Sequence, residues 1–339
     1  MKKLIFLLSL FLSFNVNADD DDWIDCGKDI RNNTPCFYKI SPQGTLYVKA
    51  NGSSTTTGHW QDSQANPTGP WYSQRNDITK IIIDDSVSQI GLRAFSQLKN
   101  VSTIILPENL TVVGAAAFQS CKGLSEIQLP SGLTTIESYA FATTGLTEIS
   151  IPSSVTEIGE HAFAANSSLS GTVNLENVKT LGQYAFANCP KLQSIILGDD
   201  ITSIGEDAFA NTSAYIYCQE GEGHNGKSCA ELVSNTGLKT GKLKIYTKEG
   251  NDIEGYLYKV GDDYFASMDL MVNNIKCDNK KQCESLLASA QNGIFSFNGK
   301  FYESLNDLAH HNYIKKRIYT IDEANQVAGD KNRISIRYR

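Results

Sequence analysis

The stretch AFQSCKGLSEIQLPSGLTTIESYAF, residues 117–141, begins and ends on the same Ala-Phe pair. Between its two phenylalanines lie a Leu-x-x-Ile-x-Leu run (124–129), Pro130 and a second short extended piece, LTTI. The alternating run reads as a half-buried strand, with Ile127 and Leu129 pointing inward and Glu126 and Gln128 outward. Proline then stops the ladder, because it has no N–H to donate. The same unit recurs along the chain. IGLRAF, VGAAAF, IESYAF, IGEHAF, LGQYAF and IGEDAF end on Phe95, Phe118, Phe141, Phe163, Phe186 and Phe209, at spacings of 23, 23, 22, 23 and 23. LTEISI (146–151) and LQSIIL (192–197) repeat the strand, VSTIIL (101–106) is close to it, and LSGTVNL (169–175) carries one extra residue.

A period of this length specifies a solenoid, since one repeat cannot bury its apolar face without neighbours. The six phenylalanines then form a core spine, each contributing about 1.5–3 kcal/mol on burial. The glycine found in most repeats suits a tight turn or a close backbone approach. The Ala-Phe pair is expected to pack inward from a helical turn. Cys121 and Cys189 occupy equivalent positions three repeats apart, about 14 Å at about 4.8 Å per strand. That is too far for a disulfide, so two free buried thiols are predicted.

IGEDAF, FQSCKGLSEIQLP (118–130) and FANCPKLQSIIL (186–197) resemble the BspA-type leucine-rich repeat of bacterial surface proteins. GTLYVKANG (44–52) and GPWYSQRNDITKIIIDDSVSQIG (69–91) resemble that family's lead-in, a strand and a Trp-containing segment before the first repeat. The resemblance runs from residue 44 to about 217. It departs from the pattern at Glu137, where glycine is usual, in the 22-residue repeat and in SGTVNL. It implies a leucine-rich-repeat solenoid and adhesion at a cell surface, to host matrix or neighbouring-cell proteins.

The chain opens MKKLIFLLSLFLSFNVNADDDDW, with two lysines, an apolar run from Leu4 to about Phe14 and small residues before Ala18. This pattern is a cleavable export signal of the bacterial type over residues 1–18, too short an apolar run to span a bilayer. The mature protein is therefore expected to be secreted, on the cell surface or in the periplasm. Residues 19–76 read as the lead-in and cap, 77–217 as the repeats, 218–241 as a closing cap and 242–339 as a small α+β region. Net charge is −7 and unevenly placed. Residues 19–239 carry 13 basic and 24 acidic side chains, whereas the last 25 residues carry seven and three. An acidic front argues against nucleic acid as partner, because phosphate neutralisation needs a basic face.

Six of the eight cysteines form close pairs, Cys26/Cys36, Cys218/Cys229 and Cys277/Cys283, which in an oxidising compartment read as local disulfides. Zinc competes for Cys218, His224 and Cys229, but their spacing matches no usual structural site. GEGHNGKS (221–228) matches the phosphate-cradling pattern G-x-x-x-x-G-K-[ST]. Its context is wrong: it follows directly on the last repeat, sits inside the Cys218/Cys229 bracket, and has no later apolar run ending in Asp to hold Mg²⁺. A disulfide-closed cap with a short helix CAELVSN (229–235) fits better, since the last turn of a solenoid exposes an apolar edge.

Beyond residue 240, KLKIYT, IEGYLYKV and DYFASM read as strands, CESLLASAQNG and LNDLAHHNYI as helices, and IFSFNGKFYES as a hairpin turning at Asn298-Gly299. TIDEANQVAGD (320–330) carries a capping box, Thr320 to Glu323, and NRISIRYR closes as an alternating strand. His310-His311 lacks acidic or Cys neighbours and reads as helix surface.

No G-x-S-x-G, H-E-x-x-H or other catalytic constellation is present, so an enzyme is the least favoured class, and neither cofactor nor metal is expected. The leading expectation is a protein-binding module. Its outward strand positions form two rows, Thr103, Glu126, Glu148, Thr172, Ser194 and Ile105, Gln128, Ser150, Asn174, Ile196, expected as one continuous polar sheet without aromatics. Trp60 offers a second anchor, whereas Trp71 is expected to pack on the first turn. The rival is a structural envelope or matrix component, in which the solenoid is a spacer and the C-terminal region attaches it.

Overall fold

The spacing of one Phe per 22–23 residues brings each phenylalanine onto the one before. In the computed structural model the rings of Trp71, Phe95, Phe118, Phe141, Phe163 and Phe186 stack in order, with centroids 5.1–5.6 Å apart. Phe209 continues the buried column. The structure describes residues 23–28, 35–50, 56–57, 69–221, 223–251, 255–298 and 300–310. The signal segment, Trp60, Gly299, His311 and the helix and strand expected within 320–339 lie outside them.

One parallel sheet contains a two-residue strand per turn. Its strands are Thr56–Thr57, Gln89–Ile90, Val112–Val113, Thr135–Ile136, Glu157–Ile158, Thr180–Leu181 and Ser203–Ile204. Six of these strands belong to the six expected repeats, and the seventh, Thr56–Thr57, precedes them in the lead-in. Trp71 supplies the aromatic ring of the lead-in turn and donates its Nε1–H to Ala94 O at 3.0 Å. Ahead of it, Ile24–Lys28, Pro35–Ile40 and Thr45–Ala50 form an antiparallel meander cross-linked by Cys26–Cys36. Its last strand runs parallel to Lys80–Ile83, which starts the solenoid.

The outward sheet is not continuous. Thr103–Ile105 pairs with Lys80–Ile83, and Gly171–Leu175, Leu192–Leu197 and Tyr215–Gln219 pair in a second group. LSEIQL (124–129) and LTEISI (146–151), read as strands, form none. Strand length tracks proline. The two segments followed by Pro130 and Pro152 form no ladder, the one followed by Pro107 keeps three residues, and those without a following proline keep four to six. The ring removes a donor and restricts the residue before it, so pairing fails where the segment ends. Leu124, Leu129, Leu146 and Ile149 are buried all the same, because the core needs their side chains and not a ladder.

The Ala-Phe segments are not helical turns. In each repeat two non-glycine residues four apart, such as Tyr139 and Thr143 or His161 and Ala165, take left-handed φ values of 54–63°. This conformation is uncommon for residues with a Cβ. It turns alternate N–H groups along the solenoid: Tyr139, Phe141 and Thr143 donate to Glu160 O, Ala162 O and Ala164 O on the next turn. A helical turn would spend those donors within its own segment. The glycines serve close approach: a Cβ on Gly182 would lie 2.3 Å from Glu160 N, and on Gly205 2.2 Å from Gln183 N. Glu137 keeps the same backbone bond to the turn before it, to Val113 O, and its carboxylate accepts the Ala115 N–H at 2.8 Å.

The third residue after Phe118, Phe163 and Phe186 ties turns together through its buried side chain. Cys121 and Cys189 are free and donate their thiols to Phe95 O and Phe163 O at 3.1 and 3.2 Å. Asn166 holds the equivalent place, donating to Phe141 O and Phe163 O while accepting from Thr144 N and Oγ1. Burial pushes the Cys121 thiol up to about 12 and the Cys189 thiol to about 11.

The last turn is closed by residues that stand in for a further repeat. Asp207 and Phe209 donate to Asn235 O and Thr236 O, while Cys229, Leu232 and Val233 join the core. The cap helix is a single turn, Cys229–Leu232, with Ser228 and Glu231 forming a capping box.

The chain divides into two compact units, up to Ile245 and from Tyr246. The strand Leu243–Asn251 spans that division, and its residues from Thr247 form an antiparallel sheet with Gly255–Val260 and Asp263–Phe265. DYFASM is strand only to Phe265; Ser267 then caps a helix, Met268–Val272. A helix at Lys280–Gln291, a hairpin of Phe295–Phe297 and Lys300–Tyr302, and a helix at Leu305–Ala309 follow. Cys277–Cys283 cross-links the second unit.

Candidate interaction surfaces

On the strand face Thr103, Glu126, Gln128, Glu148, Ser150, Thr172 and Asn174 are exposed, as is Ile105. Asn174 is partly committed: its amide donates to Glu176 Oε2 and its Oδ1 accepts the Glu176 N–H. Ser194 and Ile196 do not belong to the open rows, being only 4% and 1% exposed. The parallel register sets Ser194 beside Tyr215 and Ile196 beside Tyr217, so bulky rings flank them where earlier turns carry small polar groups. The face also ends in aromatics, contrary to expectation. Tyr215 is exposed, with Lys242 Nζ 3.9 Å from its ring centroid. Carrying the alternating count one repeat further, into AYIYC (214–218), would have found both tyrosines.

A second surface runs along the turns and was not anticipated. The residue before each Ala-Phe pair is Arg93, Ala116, Tyr139, His161, Tyr184 and Asp207 in succession. These residues line up on adjacent turns, with His161 stacked on Tyr139 at 4.5 Å and tilted by 40° against Tyr184 at 4.7 Å. His161 Nδ1 lies 3.2 Å from Glu160 Oε1 but off the hydrogen-bonding direction. The charge of Asp207 raises the Tyr184 phenol above its usual range. Beside this row runs a groove of about 550 Å³, with Ile136, Ile158 and Leu181 in its lining together with Glu137 and Glu157. The six hexapeptides, read as columns, contain this signal; the in-register phenylalanines masked it.

The glycine loop at 221–228 is no phosphate cradle. The Ser228 hydroxyl is taken by Glu231, whose carboxylate accepts from Ser228 N and Oγ at 2.8 Å. Those bonds hold the Glu231 carboxyl below its usual range, placing a negative charge where a phosphate would need a donor. Cys218 and Cys229 are joined as a disulfide, and buried His224 has Nε2 3.8 Å from each sulfur. Its ring nitrogens lie 3.0 Å from Ile201 O and 2.7 Å from Gln219 O. The three side chains are close enough to hold a metal ion, but the cross-link occupies both sulfurs. In the second unit, His310 Nδ1 is engaged with Asn306 O at 2.8 Å.

No helix among the described residues is long and apolar enough to cross a membrane. Comparison with curated proteins gives no match. Among solved structures, a leucine-rich repeat protein from Bacteroides ovatus aligns at 24% identity and a TM-score of 0.39, over 55% of this chain and 58% of its own. This chain therefore spans little more than half the length of that protein. The T. pallidum leucine-rich repeat protein aligns at 23% identity and 0.38, over 60% and 93%. The pneumococcal vaccine antigen PcpA aligns at 17% and 0.29, over 56% and 68%. Six copies of a family model, the BspA type leucine rich repeat region, match residues 71–175. That match falls on the turns that stack Trp71 through Phe163, and these residues belong to the BspA-type leucine-rich repeat family.

Proposed function

We propose that the chain is an exported or cell-surface protein that uses its solenoid as an adhesion-type protein-binding surface, without enzymatic activity. One observation supports this above the others. Seven turns are held by core contacts and backbone bonds, while the outward side chains of the strand face, Glu126 and Glu148 at its centre, stand exposed. Rigid, extended faces of this kind suit partner proteins, since little ordering entropy is lost on docking. The partner class is a matrix or neighbouring-cell surface protein.

The rival spacer reading draws on the division of the chain at Ile245. Two variants separate them. Glu126→Lys with Glu148→Lys is expected to abolish attachment of expressing cells to matrix-coated surfaces while leaving the protein on the cell. If attachment persists in that variant, and deletion of residues 301–339 releases the protein from the cell, the solenoid is a spacer.

A further inference from the structure

The turn face combines three features that the strand face lacks together. The first is charge. Segments 134–139, 156–161, 179–184 and 202–207 contain Glu137, Glu157, Glu160, Glu206 and Asp207 against a single lysine, Lys179. Carboxylates on a solenoid surface are ordinary by themselves, which makes the other two features decisive. The second is shape. The groove crosses four adjacent strands, from Thr135 to Ser203, with Glu137 and Glu157 among its lining and the hydroxyls of Ser138 and Thr180 along it. Four strands span about 14 Å, the length of about four residues of extended chain. The third is the aromatic row. Ser138 lines the groove and Tyr139 is the next residue, starting the Tyr139–His161–Tyr184 stack. The residue in register beyond Tyr139 is Ala116, which has no ring to stack on it.

We propose that this turn face binds an extended lysine- or arginine-rich segment of a partner protein. Alternate side chains of an extended segment project to the same side about 6.8 Å apart. A cation at one such position meets Glu157 and Glu137 in the groove, and one at the next reaches Glu160 and the tyrosine faces. A ring face attracts a cation within about 6 Å of its centroid, and more strongly when water is partly excluded, as in a groove. Glu160, Glu206 and Asp207 extend the negative field along the turns, which speeds encounter with a basic partner. This inference rests on reading the solenoid as an interaction surface, and adds to the strand face a second recognition face on its turns.

The test uses the full mature protein and a fluorescein-labelled peptide of alternating lysine and serine, with a glutamate–serine peptide as control. Anisotropy titrations are expected to saturate with the lysine peptide alone and to weaken as salt rises from about 50 to about 300 mM. Glu157→Gln with Glu160→Gln removes two exposed charges without touching the core, and should weaken binding about ten-fold or more. Tyr184→Leu should weaken it several-fold at unchanged charge. The strand-face pair Glu126→Gln with Glu148→Gln should leave it unchanged. Absence of saturable binding overturns the inference, as does an equal loss from the strand-face pair, or saturation by a neutral polysaccharide in place of the peptide. Should the lysine peptide fail while the strand-face charge reversals still abolish attachment, this inference falls and the proposed function stands.

Discussion

Asn166 is the most demanding polar residue in the core. It is fully buried and makes four hydrogen bonds, two accepted at Oδ1 from Thr144 and two donated from Nδ2 to Phe141 O and Phe163 O. Asn166→Ala strands the Thr144 N–H, which has no solvent to turn to, and leaves two carbonyls short of a donor. An unsatisfied buried group costs about 1–3 kcal/mol; the Phe163 carbonyl keeps the Cys189 thiol, so the Thr144 N–H and the Phe141 carbonyl carry most of an expected loss of about 3–5 kcal/mol. Asn166→Cys should recover roughly half, because Cys121 and Cys189 at the equivalent places donate to the Phe95 and Phe163 carbonyls. Asn166→Asp should do no better than alanine, since a carboxylate would face two carbonyl oxygens. Urea unfolding followed by far-ultraviolet circular dichroism and by tryptophan fluorescence, reporting buried Trp71, measures all three. A loss under about 1 kcal/mol for Asn166→Ala, or coincident curves for the alanine and cysteine variants, would refute the reasoning.

Cys121 and Cys189 should resist thiol reagents at pH 8 in the folded protein and titrate as two thiols in denaturant. Their pKa values, raised to about 12 and about 11 from the usual 9.0, mean that the unfolded chain ionises first, so stability falls as pH rises above 9. Each thiol contributes about 1.4 kcal/mol per pH unit to that fall, up to its folded value, and replacing both with serine should flatten the slope relative to wild type. Removing the Cys218–Cys229 link, which closes a loop of 11 residues, should cost about 3 kcal/mol, read as a lower thermal midpoint; equal midpoints would refute its role in the cap. Gly182→Ala should destabilise by about 1–3 kcal/mol, because its Cβ would fall 2.3 Å from Glu160 N. A neutral result would mean that turns can separate locally.

The sequence alone determined what depends on local period. A phenylalanine every 22–23 residues can be buried only by its counterparts in neighbouring repeats, so the spine, the solenoid and the equivalence of Cys121 with Cys189 followed from spacing. Disulfides between cysteines 6–11 residues apart were legible for the same reason. The tertiary structure decided what depends on neighbours from other turns. Ser194 and Ile196 sit at outward strand positions by alternation, yet their exposure was set by the tyrosines of the following strand. The 124–129 and 146–151 segments carry good strand patterns, but pairing needs both edges of a ladder, and Pro130 and Pro152 end theirs. Tyr139, His161 and Tyr184 lie 22 and 23 residues apart and met as a stack only once left-handed backbone aligned the turns. Periodicity fixes which side chains are buried together; contact between successive turns fixes which of the others become a surface.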